Sequence, residues 1–420
     1  MGFAADWLTR RALFPEFIKE PPDDQTGIIV VIPAFDEPSV SPVLDSLNSC
    51  SAPDCKAEVI IVVNAPENAS PDSLGNNNKC IKNIINWKKT NSSFFRLYVF
   101  DAGQAPVKKW GVGLARKTGM DEALRRFSFI DRPDGVIVCL DADCRVEKNY
   151  FTAISGELLF KKGRNACSIY FEHPLSGIEF PESIYRYIIQ YELHLRYFVD
   201  GLIYAGYPNA LHAVGSALAV KADQYMKAGG MNRRQAGEDF YFVQKLLPLG
   251  GFFSLISTTV YPSPRESFRV PFGTGAMIAK LLGEGSNRLL TYNISAFSEL
   301  KELFKTGPEL FSAGKGVKAN HYDDLPNGIR SFVDRQEWSE KIAEIRKNTS
   351  SEESFRKRFF SWFNAFRIVK YMNHVHNGIF EKQEVSKSAC DLLKAMAIGY
   401  HSEDAEELLI LLRGLDRQSG

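Results

Sequence analysis

Gly135-Val136-Ile137-Val138-Cys139-Leu140 runs without a polar break into Asp141-Ala142-Asp143. A short β-branched stretch of this kind reads as a strand buried on both faces, as in a parallel sheet covered by helices. Two carboxylates at the carboxyl end of such a strand stand where open α/β sheets bind ligands. Alternation along extended backbone sends Asp141 and Asp143 to one side, and Ala142 between them is too small to block an approach. Hard divalent cations take oxygen ligands, and Mg²⁺ or Mn²⁺ is commonly held by one or two carboxylates together with substrate phosphates. Asp141 and Asp143 are therefore candidate metal ligands.

Working outward, Gly27 to Ile32 is a second buried stretch, ending at Pro33-Ala34-Phe35-Asp36-Glu37-Pro38, and Glu58 to Val63 is a third, stopping at Asn64. Between them a helix is expected with Ser41 as cap, Pro42 in its first position and Val43, Leu44 and Leu47 facing inward. The Asn- and Ser-rich piece from Asn64 to Lys79 reads as a loop. A helix to about Lys89, a strand from Phe95 to Phe100 and a helix from Gly111 to Phe127 follow. This alternation predicts a doubly wound sheet over the first half of the chain. Further on, Tyr185, Ile188, Ile189, Leu193, Leu195 and Phe198 recur at helical spacing, Gly215 to Val220 reads as a strand, and Gly237-Glu238-Asp239 opens a helix running to Leu247. Beyond about Phe272 strand signals stop. Helices are expected from Leu300 to Lys305, Trp338 to Lys347, Ser354 to Asn373 and Ser388 to Leu412. The expected organisation is an N-terminal extension (1–26), an α/β domain (27–275) and a helical C-terminal region (276–420).

In this order the pieces resemble the family 2 glycosyltransferases, which have a GT-A fold and use nucleotide-sugar donors. The resemblance rests on Ile32-Pro33-Ala34-Phe35-Asp36-Glu37 after the first strand, on Asp141-Ala142-Asp143, and on Gly229-Gly230 leading to Glu238-Asp239 at a helix start. It covers about Gly27 to Gly275. It implies a GT-A-type doubly wound mixed sheet with a Rossmann-like nucleotide-binding half, followed here by the helical region. The implied partners are a nucleoside-diphosphate sugar donor, an acceptor hydroxyl on a glycan, lipid or small solute, and Mn²⁺ or Mg²⁺ as cofactor.

The same resemblance places Pro33, Asp36, Glu37 and Asn64 around the donor nucleoside, with Asn64 standing where the family usually has Asp. It puts Asp143 on the metal and Asp141 on the metal or the donor ribose. Asp239, with Glu238 beside it, is the implied catalytic residue, taking the acceptor proton and leaving an inverted anomeric centre. Arg116 and Lys117 lie where the family approaches the donor base and diphosphate, and read either as phosphate contacts or as a solvated helix face. Arg265 and Arg269, in the Pro- and Gly-punctuated stretch Ser263 to Gly275, suit a phosphate or an acidic acceptor. His212, His374 and His376 are candidates for a third metal ligand, and Trp110 for stacking on a base or sugar. There is no Gln-x-x-Arg-Trp, which argues against a processive polysaccharide synthase.

Composition narrows the alternatives. The 420 residues carry 51 Lys+Arg and 50 Asp+Glu, a formal charge of +1, so no global field argues for nucleic acid. No run approaches the roughly 18 apolar residues of a transmembrane span, which leaves peripheral membrane contact open. The first residues lack a charged head followed by an apolar stretch, and seven cysteines without a Cys-x-x-Cys pair fit a reducing, cytoplasmic setting. A haloacid-dehalogenase-type phosphatase wants Asp-x-Asp-x-Thr/Val on its first strand, whereas Arg145 holds the fifth position here and three strands come earlier. Gly111-Val112-Gly113 lacks the third glycine of a dinucleotide-binding turn, Arg116 occupying it. A non-catalytic binder of nucleotide sugars or glycans is the remaining alternative.

Overall fold

The computed structural model describes residues 2–37, 39–234, 237–267, 269, 273–285, 288–312, 321–400 and 402–418. The chain forms two compact units. The first comprises Met1–Ile188, Ala213–Gly283 and Asp416–Gly420, the second Ile189–His212 and Glu284–Leu415.

In the first unit, α1 (Ala5–Arg11) precedes β1 (Thr26–Ala34), α2 (Ser41–Asn48), β2 (Lys56–Pro66), α3 (Pro71–Thr90), β3 (Phe95–Ala105), α4 (Val112–Phe129) and β4 (Val136–Cys139). Then come β5 (Arg145–Val146), α5 (Tyr150–Leu158), β6 (Ala166–Phe171) and α6 (Glu182–Tyr204), whose residues from Ile189 onward belong to the second unit. The first unit resumes with β7 (Leu218–Lys221), α7 (Ala222–Lys227), α8 (Glu238–Leu246), β8 (Phe252–Tyr261) and α9 (Thr274–Glu284). One sheet of eight strands results, in the order β3-β2-β1-β4-β7-β6-β8-β5. β3, β2, β1 and β4 are parallel. β7 runs antiparallel to both β4 and β6, β8 parallel to β6, and β5 antiparallel to β8. This is the doubly wound mixed sheet that the resemblance implies.

The physical reason is burial. Ile28 to Ile32, Val59 to Val63 and Val136 to Cys139 are all fully buried, which only helices on both faces of a sheet can achieve. The chain builds outward from β1 through β2 to β3, then returns to lay β4 on the opposite side of β1. The strand order reverses there, so the carboxyl ends of β1 and β4 border a crevice, the usual ligand position in open α/β sheets.

Several elements differ from the sequence expectation. The stretch read as a loop up to Lys79 already holds the first half of α3. Ser70 accepts from the Ser73 amide, Pro71 and Asp72 occupy the first turn, and Cys80, Ile84 and Trp87 are buried on one face. Strand pairing expected from Gly215 starts at Leu218. Val40, not Ser41, caps α2.

Residues 2–25 form a strap across α4. Glu122 accepts the amides of Phe17 and Ile18 (3.4 and 2.9 Å), Ser128 Oγ accepts the Ala4 amide (3.0 Å), and Arg125 and Arg126 donate to the carbonyls of Phe14 and Glu20.

In the second unit, β9 (Leu290–Thr291) and β10 (Gln383–Glu384) form a short antiparallel pair. Among the described residues they are accompanied by α10 (Ile294–Lys305), α11 (Gly307–Ser312), α12 (Asn327–Phe332), α13 (Arg335–Lys347), α14 (Glu352–Trp362), α15 (Ala365–Val375), α16 (Val385–Ala395) and α17 (Ala405–Gln418), whose residues from Asp416 onward belong to the first unit. Two helices expected to be continuous are divided. Asn364 caps α15 by accepting from the Arg367 amide, which ends α14 before it. The second break separates α16 from α17. Phe297, Trp338 and Phe355 are fully buried in this unit's aromatic core. Among the described residues, no helix is long and apolar enough to cross a membrane.

Glu122→Ala leaves the buried Ile18 amide without its acceptor, so it should destabilise the first unit by about 1–3 kcal/mol. Urea unfolding of the variant, followed by Trp7 fluorescence in a single-tryptophan background, measures this. A midpoint equal to wild type contradicts the strap.

Candidate active site

Three segments meet at the β1–β4 crevice. β1 ends in the turn bearing Glu37, β4 ends in Asp141-Ala142-Asp143, and α4 runs antiparallel to these strands, so its opening turns stand at their carboxyl ends. Val31 lies opposite Cys139 in the register, and the Leu140 amide donates to the Val31 carbonyl at 3.1 Å. These pairings fix the acidic tripeptide beside the Glu37 turn.

The charges pair closely. Arg265 forks onto both oxygens of Glu37, with Nη1 to Oε2 at 3.1 Å, and its Nε lies 2.8 Å from Asp143 Oδ2. Arg269 also pairs with Glu37. On the other side, Arg116 is 3 % exposed and its guanidinium joins Asp141 to Glu238. Glu238 and Asp239 open α8, for which Gly237, in the left-handed region at φ 71°, supplies no capping side chain. Glu238 is buried. Asp239 is half-buried, and among the described residues its carboxylate takes one hydrogen bond, from the adjacent Phe240 amide at 2.7 Å. Among the described residues, five carboxyl side chains therefore gather with three guanidiniums, two more acidic groups than basic ones.

Burial is the main influence on the carboxyl pKa values here. Burial pushes Glu238 from 4.5 up to about 7, against the pull of Arg116. Burial likewise raises Asp239, opposed chiefly by Arg116, and Asp143, opposed chiefly by Arg265. Burial works against the charge on Arg116, yet Asp141 and Glu238 outweigh it and hold the guanidinium firmly protonated.

The buried donors without a hydrogen-bond partner among the described residues include Asn64 Nδ2 and Trp110 Nε1, besides Arg116 Nε. Asn64 sits at the end of β2, and Trp110 meets Phe35 of the β1 turn edge-on at 4.7 Å. Asp36 adopts φ 53° in that turn. Asn77 and Asn76 hold it through the Asp36 amide (2.8 Å) and carboxylate (2.7 Å), and Asn77 also donates to the Asn64 carbonyl. Orphaned buried donors are rare and call for an acceptor.

Of the residues singled out from sequence, Glu37, Asp141, Asp143, Glu238, Arg116, Arg265 and Arg269 are joined here by ion pairs, and Asp239 follows Glu238 at the start of α8. Others stand differently. Pro33 is buried within β1, opposite Val62. Arg116 is no open phosphate contact, because its guanidinium is spent on Asp141 and Glu238. Lys117 turns away into a buried pair with Asp121 (2.8 Å), which also accepts from the Tyr225 hydroxyl, while Trp7 covers the ammonium at 5.3 Å. His212 belongs to the second unit. Among the described residues no three His, Cys, Asp or Glu side chains form a group that could hold a metal. His374 and His376 serve the second unit's packing, His374 against Ser331 and Phe332 and His376 as acceptor of the Asn293 amide.

No protein-family model matches the chain, and no curated protein matches it. Among solved structures it is similar to S. aureus TarS 1-349 in complex with UDP-GlcNAc, at 13% identity and a TM-score of 0.37, covering 93% of this chain and 91% of that one. It is also similar to glucosyl-3-phosphoglycerate synthase from Mycobacterium tuberculosis in complex with Mn²⁺, UDP and glucosyl-3-phosphoglycerate, at 16% identity and a TM-score of 0.36, covering 64% and 84%. TM-scores of this size carry nothing about activity.

Because the folded-state pKa of Glu238 is raised, its protonated form stabilises the fold fully below about pH 4.5, and that contribution is lost as the pH rises through about 7. The stability of wild type relative to Glu238→Gln should therefore fall between pH 5 and pH 8, as read by thermal unfolding at both. A pH-independent gap contradicts the raised pKa.

Proposed function

We propose that the protein is a GT-A-type glycosyltransferase that moves a sugar from a nucleoside diphosphate to an acceptor hydroxyl, with inversion and with a divalent metal. The observation that carries the reading is the cluster of five carboxylates and three guanidiniums at the switch point, with Asp239 alone among the acids free of an ion pair among the described residues. An alcohol is a weak nucleophile until its proton begins to leave, and a half-buried carboxylate of raised pKa is suited to take that proton. Glu238, buried and tied to Arg116, is less suited.

The donor side follows from the same geometry. The unpartnered Asn64 and Trp110 donors offer hydrogen bonds to a base or ribose, and Phe35 with Trp110 offers an aromatic wall. Arg265 and Arg269 are placed to exchange Glu37 for diphosphate oxygens, which guanidinium forks match bidentately.

A divalent ion fits the residues present. Asp143 remains about a quarter exposed, acidic side chains outnumber basic ones in the cluster, and Mg²⁺ or Mn²⁺ needs only one or two carboxylates when phosphates and water complete its shell. Asp141 and Asp143 would hold it. When bound, the ion supplies positive charge against the diphosphate that departs. All seven cysteines are unpaired, which supports a reducing, cytoplasmic setting.

Two substitutions separate the roles. Asp143→Asn should weaken Mn²⁺-dependent binding of UDP-, GDP- or ADP-sugar about tenfold or more, roughly 1.4 kcal/mol by calorimetry. Unchanged affinity removes the metal assignment. Asp239→Asn keeps shape and loses basicity, so turnover should drop about 10²–10⁴-fold while donor affinity stays within a factor of three or so. Undiminished turnover in that variant rules out the inverting mechanism with Asp239 as base.

A further inference from the structure

Arg116 is a buried cation that the proposed chemistry leaves without a part. Its Nη2 binds Asp141 Oδ1 at the end of β4, and its Nη1 binds Glu238 Oε1 at the start of α8. Three segments far apart in sequence thus converge on one planar group. The chain makes room for it at Gly215, where a Cβ would overlap the guanidinium, and α4 is pressed against the backbone of Asn232 and Arg234 at Gly113, where a Cβ would overlap the carbonyls. At that end of α8, Arg234 also lies over the Tyr241 ring at 3.6 Å. The N-cap of α8 is a glycine with no capping side chain, and Asp239 bonds only its own neighbour among the described residues.

We propose that Arg116 is a positioning residue, which by gripping Asp141 and Glu238 with separate nitrogens fixes the start of α8 against the end of β4 and so aims Asp239 at the reacting centre. The inference rests on the glycosyl-transfer reading of this site. A guanidinium can do this because it is rigid and carries donors on diverging edges. A lysine ammonium is one point charge on a flexible stem and cannot span the two acids. Burial excludes direct contact with donor phosphate, and a carboxylate displaced by about 1 Å loses on the order of 10²-fold in rate.

The test uses the full-length protein, whichever of UDP-, GDP- or ADP-glucose wild type binds with Mn²⁺, and water as acceptor, with nucleoside diphosphate release as the signal. Arg116→Lys should lower saturating kcat by about 10²-fold while donor Kd moves less than about tenfold, the reverse of what a phosphate ligand gives. Gly215→Ala, which keeps every charged group and only crowds the guanidinium, should lower kcat in the same sense with donor Kd unchanged. It carries the test if Arg116→Lys does not fold. Free guanidinium ion should restore part of the kcat of Arg116→Ala, a rescue that a purely structural role does not give. Wild-type kcat in both Arg116→Lys and Gly215→Ala overturns the inference. So does a loss confined to donor Kd. Failure of wild type to bind any nucleotide sugar overturns instead the reading of the site on which it rests.

Discussion

The pairing of β4 beside β1 is the constraint on which the rest depends. Both strands are buried on both faces, so neither can slide without exposing its β-branched side chains. A slip of one residue would also turn Asp141 and Asp143 to the other face of the sheet. With Val31 set opposite Cys139, the β1 turn and the acidic tripeptide are forced into one crevice. Glu37 and Asp143 then come close enough for one arginine, Arg265, to bridge them.

Charge sorting inside that crevice follows from the cost of burying ions. An isolated buried carboxylate is expensive, and one with a hydrogen-bonded partner is tolerable. Glu238 and Asp141 meet this condition through Arg116, Glu37 through Arg265 and Arg269, and Asp143 in part through Arg265. Asp239 meets it least, through a backbone amide alone among the described residues. The least compensated acid therefore stands at the amino end of a helix, half-open to solvent, where the helix dipole favours negative charge. A site arranged this way keeps more acidic than basic side chains.

Much of this was legible in the chain because β1, β2 and β4 are uninterrupted apolar runs, and because acids at their carboxyl ends have a definite place in open α/β sheets. β6 and β8 were not, since Ala166 to Phe171 and Phe252 to Tyr261 mix small, polar and aromatic residues without a clean period. The Asn-rich start of α3 concealed a capped helix: the Ser70-Pro71-Asp72 signal was present, but polar composition outweighed it. Asn77 and Asn76 owe their place there to the Asp36 turn, a tertiary demand with no local signature. The partners of Arg116 and Lys117 could not be read either. The two are adjacent on one helix, so they face different neighbours, and only the packed structure decides that one meets the acid cluster and the other Asp121 and Tyr225. The departure of His212 into the second unit has the same origin, since sequence order does not reveal where α6 leaves one unit for the next.

Isothermal titration calorimetry of the wild-type protein with UDP-, GDP- and ADP-glucose, each with and without Mn²⁺, tests the central claim most directly. The account predicts saturable 1:1 binding of at least one nucleotide sugar, tightened by Mn²⁺. Absence of binding by all three in the presence of Mn²⁺ would contradict a nucleotide-sugar site at the β1–β4 crevice.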